Sequence, residues 1–457
     1  MKNDMTRPRG TTVAPRAALV TIAALLLVAA GARPRAQSRP PAPAPIALTH
    51  VTMIDGTGAP ARPNTTVVIR NGRIAAVFTD GAEKLPDGAA VEDLTGRFLV
   101  PGLIDAHVHI TGQPTTFDQY RTLLDGLVAH GITGIRDMAG DARILSYLSR
   151  EALLDEQPWP DIYYSALMAG PTFFAEDPRV PGTSQGVLLG GAPWMRSVDA
   201  TTNIRMAVAE ARGTGATGVK LYANLPAAIV KAITTEAHRQ GLLVWTHATI
   251  FPAKPSDAVD AGADSISHTP YLSWEAAPKV PQDYRSRAYG PFLTVKPDDP
   301  RILSLLDAMK AHGTVLDATL RVFQQEAAHD PGAVGEGIMP WSYAVTKEAH
   351  ERGVLVDAGT DSQGLPMGKN GPDVAATPTV LDELALLVGQ CGFTPLEAIH
   401  SATQVNATVV GQGATRGTIT PNKQADLVVL AADPTADIHN LKTVVEVFKD
   451  GKKVVGK

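Results

Sequence analysis

His107-Val108-His109 places two imidazoles two residues apart on an apolar run. If that run is a strand, both rings point to the same face. Pro101-Gly102-Leu103-Ile104-Asp105-Ala106 precedes them, so the pair closes the strand. Imidazole is the commonest metal ligand and also an acid–base group. Taken alone, the pair fits either a metal site or two partly exposed histidines. Four further polar groups hold the same kind of position. His247 ends Leu242-Leu243-Val244-Trp245-Thr246-His247, and His268 ends Ser265-Ile266-Ser267-His268. Asp361 ends Asp357-Ala358-Gly359-Thr360-Asp361, and Lys220 lies near the end of Gly218-Val219-Lys220-Leu221. Each has a bland explanation by itself: a lysine can snorkel, and an aspartate can cap the next helix. Brought to one rim, they supply four imidazoles, one carboxylate and one amine. That many coincidences in one place argue for a built site.

Such convergence needs a fold whose strand ends meet. The periodicity predicts strands over 103–110, 131–138, 162–169, 217–222, 242–248, 264–269, 314–320 and 354–362. Helical patterns intervene at 117–130, 199–212, 226–240, 300–312 and 341–352. Alternating strands and helices imply an α/β protein with a parallel sheet. Eight units in a row imply closure into a (β/α)₈ barrel, a TIM barrel, whose active site lies at the carboxyl ends of the strands. The competing architecture is an open doubly wound sheet, but no glycine-rich dinucleotide fingerprint follows the first strand. Long insertions at 272–299 and 322–339 are expected to cover the barrel mouth.

The two ends of the chain read differently. Thr66-Val67-Val68-Ile69-Arg70, Asn71-Gly72 and Arg73-Ile74-Ala75-Ala76-Val77 predict a hairpin with an Asn-Gly turn. In the tail, 425–430 and 443–448 read as strands, with a turn at 449–452. The expected organisation is a barrel over 101–412, plus a small β-sandwich domain that 46–100 and 413–457 build together. Before it, Arg7, Arg9 and Arg16 lead into an apolar run over 17–30. That run is too short to cross ~30 Å of hydrocarbon as a helix. Ala30-Gly31-Ala32 and Arg35-Ala36-Gln37 are two candidate cleavage sites. The expectation is a signal peptide over 1–36, a proline-rich linker over 37–45, and an exported, periplasmic protein with no stable membrane span after cleavage. An uncleaved anchor is the alternative.

The net charge of −5, with no long run of one sign, excludes the basic stripe that a nucleic-acid partner needs. Cys391 is the one cysteine, so no internal disulfide forms, and it reads as a small buried hydrophobe.

Together these segments resemble the amidohydrolase superfamily, in its imidazolonepropionase-like and prolidase-like branch. Met53-Ile54-Asp55-Gly56, the segment 101–109, Gly359-Thr360-Asp361-Ser362, the stretch 379–403 and Ala425-Asp426-Leu427-Val428 carry the likeness. The resemblance implies two divalent metal ions, with zinc expected from the ligand types. It implies that His107 and His109 bind the more buried ion with Asp361, and that His247 and His268 bind the more exposed one. It implies that Lys220, carboxylated by CO₂, bridges them, since a carbamate anion can hold two metals ~3.5–4 Å apart. It also gives Asp361 the catalytic role of accepting a proton from the attacking water and passing it to the leaving amine. The implied enzyme hydrolyses the C–N bond of a small amide, an N-acyl amino acid or a dipeptide.

The sequence departs from the branch at two places. Tyr222-Ala223-Asn224-Leu225 stands where prolidase-like members carry Gly-Gly after the lysine strand, which puts dipeptidase specificity in doubt. Ile250 and Tyr271 stand where the single-metal deaminases keep a glutamate. That difference and the placing of Lys220 favour the two-metal hydrolase; a cyclic-amide hydrolase or mononuclear deaminase is the rival enzyme, and a non-catalytic periplasmic binding protein the rival of another class. Tyr222, Tyr271 and Arg136 are the expected substrate contacts, with Trp194 and Trp274 as further aromatics near strand ends or lids. Asp137 is either a partner to a metal ligand or a structural ion pair. His130, His238, His312, His350 and His400 sit on helical patterns and read as structural. The partner is a small amide, and association into a homo-oligomer is compatible with the fold.

Overall fold

Eight parallel strands run Leu103–Val108, Ile132–Asp137, Asp161–Ala169, Gly218–Leu221, Leu243–His247, Ser265–Ser267, Val315–Asp317 and Val356–Asp357. The computed structural model describes residues 43–456 except 113–114, 155–156, 288–289, 330–331 and 370. The expected signal peptide and the linker up to residue 42 lie outside the described residues. Each barrel strand pairs in parallel with the next. The eighth closes on the first: the Ala106 N–H donates to Ala358 O at 2.9 Å and the Asp361 N–H to His107 O at 2.8 Å. Asn406 staples the same seam, donating to Ile104 O at 2.6 Å and Ala358 O at 2.9 Å and accepting from the Ala358 N–H at 2.9 Å. The expected (β/α)₈ barrel is present. Its strands are buried on both faces because helices cover the outside and side chains fill the inside.

Local chemistry sets the helix limits. Thr116 and Gln119 form a capping box at the start of Phe117–Ala129. Asp299 caps Pro300–His312, which ends at Gly313 with φ +73°. The insertions fold more than their composition suggests. The expected helix over 341–352 begins far earlier, as Ala333–Arg352, and with a further helix, Leu320–His329, it fills most of the stretch read as a loop. Residues 269–276, 284–287 and 291–293 form short 3₁₀ turns. A third excursion, not expected, follows the third strand and includes the helix Pro171–Glu176 and a strand pair at 191–197.

Strands from both chain ends form the second sheet. Phe98–Pro101 runs antiparallel to Leu427–Leu430, with Pro101 opposite Leu427. Ile74, on one end strand of the hydrogen-bonded path, and Phe448, one strand in from the other end, share one core with Leu48, Val67, Leu99 and Leu427. The sheet thus folds over its own core, as expected for a sandwich. The turns Asn71-Gly72 and Asp450-Gly451 both take positive φ, as two-residue hairpin loops require. Where this domain meets the barrel, Asp161 Oδ2 forms ion pairs with Arg416 Nη1 at 2.7 Å and Lys449 Nζ at 3.0 Å. Among the described residues, no helix is long and apolar enough to cross a membrane.

Candidate metal centre

The barrel brings the six sequence-selected groups to one rim. His107, His109 and Asp361 offer three ligand atoms within 4.8 Å of one another. Asp361 Oδ1 lies 3.1 Å from His109 Nε2 and 3.6 Å from His107 Nε2. The other imidazoles continue the arc, with ring centroids 5.2 Å apart for His107 and His268 and 4.4 Å apart for His268 and His247. Lys220 borders the same cavity and donates to Ser267 Oγ at 3.1 Å. Nitrogen and oxygen donors converging in this way fit a divalent metal.

Their surroundings hold the ligands in form. Burial pushes the His107 imidazole below its ordinary value, against the pull of Asp317 and Asp361, and pushes His268 well below. Neutral rings are what a metal needs, and burial favours them at these two; at His109 burial pulls the same way but Asp361 outweighs it and raises the ring. Burial works against the Asp361 charge, but His107 and His109 outweigh it and hold the carboxyl well below its usual range. Burial brings Lys220 down to about 8, within reach of a neutral amine. His107 Nδ1 lies 2.6 Å from Asp317 Oδ2, which leaves Nε2 towards Asp361. His268 Nδ1 bonds Thr319 Oγ1 at 2.9 Å, and His247 Nδ1 accepts the Thr249 N–H at 3.0 Å. His268, Thr319 and Asp361 all hold positive φ at strand ends, so the rim is backbone under strain.

A cavity of about 300 Å³ opens above these groups. Tyr222 and Tyr271 line it. Tyr222 meets the His247 ring edge-on at 4.7 Å, and Tyr271 stacks on it at 5.5 Å. Arg136 requires a correction, because it does not line the cavity. It is fully buried inside the barrel, where its guanidinium donates to Ser265 Oγ at 3.1 Å, Asp357 Oδ2 at 3.2 Å and Asp317 Oδ2 at 3.3 Å. Two buried carboxylates require a cation there, and Arg136 is spent on them. Asp137 accepts the N–H groups of Ile110 and Ala139 at 2.8 and 3.2 Å, so it shapes the loops after the first two strands. Trp194 donates to Thr183 O and Trp274 packs on Phe251, both away from the cavity wall. The helical histidines have local partners, such as Asp264 for His238 and Gly56 O for His400. Cys391 is buried, and its thiol is pushed up to about 12.

Sequence reasoning missed three contributors. Asp317 ends the seventh strand, a position that the rule applied to His247 and His268 also selects. Phe173 and Arg179 come from the excursion after the third strand, which carries no periodic signal.

The amidohydrolase family model matches residues 98–454. Ochratoxinase of Aspergillus niger is 26% identical over 458 aligned positions, covering 88% of this chain and 85% of that one. The crystal structure of a putative prolidase from Bifidobacterium longum superposes with a TM-score of 0.67 at 25% identity, covering 91% of this chain and 97% of the other. The A. niger ochratoxinase structure gives a TM-score of 0.70 at 21% identity, covering 91% and 96%. On the family match, over the barrel and the sheet that closes it, this chain belongs to the amidohydrolase family and is a hydrolase acting on carbon–nitrogen bonds.

Proposed function

We propose that this protein is an exported, two-metal amidohydrolase that cleaves the C–N bond of a small amide, an N-acyl amino acid or a dipeptide. The convergence of His107, His109, Asp361, Lys220, His247 and His268 on one cavity carries the reading. His107, His109 and Asp361 would hold one ion and His247 and His268 the other, with Lys220, once carboxylated by CO₂, supplying a further anionic ligand between them. Zinc suits this donor set. When bound, the metals polarise the amide carbonyl and make water a better nucleophile near neutral pH. The chain's own residues do the rest. Tyr222 and Tyr271 wall the cavity beside His247 and keep bulk water from the reacting amide. A water gives its hydroxide to the carbonyl carbon and its proton to Asp361. Asp361, ionised at neutral pH, passes that proton to the nitrogen as the C–N bond breaks. The products are a carboxylic acid and an amine. The basic and apolar start of the chain supports export.

Elemental analysis of the purified protein and of Lys220→Ala tests the reading. About two metals per chain, falling to one or none in the variant, is the expected result. One metal in both proteins would replace this reading with a mononuclear site.

A further inference from the structure

Arg179 stands at the cavity wall, on the excursion after the third barrel strand. Its Nε and Nη2 donate to the two oxygens of Asp177 at 2.9 and 2.6 Å, and Nη2 also donates to the Tyr222 hydroxyl at 3.1 Å. Asp177 accepts a further bond from the Tyr284 hydroxyl at 2.6 Å. Burial works against the Asp177 charge, but the bonds from Arg179 and Tyr284 outweigh it and hold its carboxyl down to about 2. A long, rotamer-rich side chain is thus fixed in one orientation, which removes most of the entropy cost of using it.

The ion pair is not sealed. The Arg179 side chain is 54% exposed, while that of Asp177 is 4% exposed. Pairing with Asp177 uses the Nε and Nη2 edge, and Nη1 takes no part in it. The guanidinium lies 5.7 Å from the Tyr222 ring centroid, and that ring lies 4.7 Å from His247. The cation is therefore two contacts from the metal centre, near the reacting bond but not upon it. The other lysine or arginine bordering the cavity, Lys220, is buried at 2% exposure. Leu167, Val180, Met195 and Phe173 border the cavity with Arg179 and give it an apolar flank.

We propose that Arg179 binds a free carboxylate of the substrate and selects N-acyl derivatives of apolar amino acids over neutral amides. The proposal rests on the amide-hydrolase reading above. In an N-acyl amino acid the carboxylate is joined, through one carbon, to the nitrogen of the scissile bond. Its anchor must stand a short way from the reacting carbonyl, as Arg179 does. With Nε and Nη2 taken by Asp177 and Tyr222, the fixed guanidinium offers its Nη1 N–H groups, and an ionised carboxylate accepts a stronger, charge-assisted bond there than a neutral carboxamide oxygen does.

The test is calorimetric binding of N-acetyl-L-leucine and N-acetyl-L-leucinamide to the metal-loaded protein, to Arg179→Met and to Arg179→Lys, with kcat/KM measured on the same pair. The expected preference for the carboxylate is roughly 10- to 100-fold, as for a charge-assisted hydrogen bond. It collapses towards one in Arg179→Met and survives in part in Arg179→Lys. If the methionine variant does not fold, Arg179→Gln, which keeps a donor for Asp177, takes its place. Equal binding of both compounds by the wild type, or equal weakening of both in the variant, overturns the proposal. Discrimination in binding without turnover of either compound would sink the amide-hydrolase reading and leave Arg179 as the carboxylate anchor. Turnover without discrimination would do the reverse.

Discussion

A methyl group on Gly359 would lie 2.4 Å from Asp317 Oδ1 and 2.7 Å from the His107 Cβ. Neither neighbour can retreat, since both are buried and bonded to each other. Gly359→Ala should therefore push His107 from its place, cost about 1–3 kcal/mol as overpacking does, and lower the metal content measured by elemental analysis. Asp361→Asn tests a different role. It should lower kcat by roughly 10²- to 10⁴-fold, the range for a lost proton carrier, and stopped assays on any hydrolysed amide would read the loss. A variant with wild-type turnover would remove Asp361 from proton transfer. At this scale the ligands were legible because each is a polar residue closing an apolar run. Asp317 obeys the same rule, as the carboxylate that closes the seventh strand. Arg136 misled for the converse reason: alternation along a strand gives the face, and does not tell the barrel interior from the cavity above it.

The helix Leu320–His329 carries Phe323, whose ring meets His268 at 5.8 Å and Tyr271 at 5.4 Å. Its first turn is held by Glu383, whose carboxylate accepts the N–H groups of Leu320 and Arg321 at 2.9 and 2.7 Å. Burial raises Glu383 to about 8, against those two bonds. A carboxyl raised above its unfolded value contributes stability that is present below the unfolded value and is lost as pH rises through the folded one. Thermal midpoints should therefore fall between about pH 5 and pH 8, and the Glu383→Gln variant should show a shallower fall. A variant that tracks the wild type at every pH would exclude Glu383 as a source of that slope. Glutamine keeps one acceptor and turns an amino group towards the other N–H, so a loss of about 1–3 kcal/mol at low pH is also expected. None of this was legible beforehand. Residues 322–339 contain glycine and proline and read as a loop, yet two helices take up most of them, and a distant glutamate anchors the start of the first.

The whole molecule depends on one buried group of charges between barrel and sheet. Asp161 begins the third barrel strand, and Arg416, Asp426, Lys449 and Asp450 come from the C-terminal segment. Burial works against the Lys449 ammonium, but Asp426 and Asp161 outweigh it and keep it protonated. Asp161→Asn leaves two buried cations short of a partner and should cost about 3–5 kcal/mol, read as a lower midpoint in urea. Midpoints within error of the wild type would mean that water already reaches the cluster. The barrel itself was legible from eight apolar runs at helical spacing, and the hairpin at Asn71-Gly72 from its turn residues. The pairing of the two chain ends was an inference from two matching strand patterns, because nothing local in a strand names its partner.

That pairing also dictates an order of assembly. One side of Phe98–Pro101 pairs with Ile46–Met53, and the other side waits for Leu427–Leu430. During synthesis at ~5–20 residues per second, the waiting side stays bare for about half a minute. A bare strand edge is a template for joining other chains. Whatever meets the nascent chain in that interval, chaperone or export machinery, works on a sheet that the ribosome has not yet finished writing.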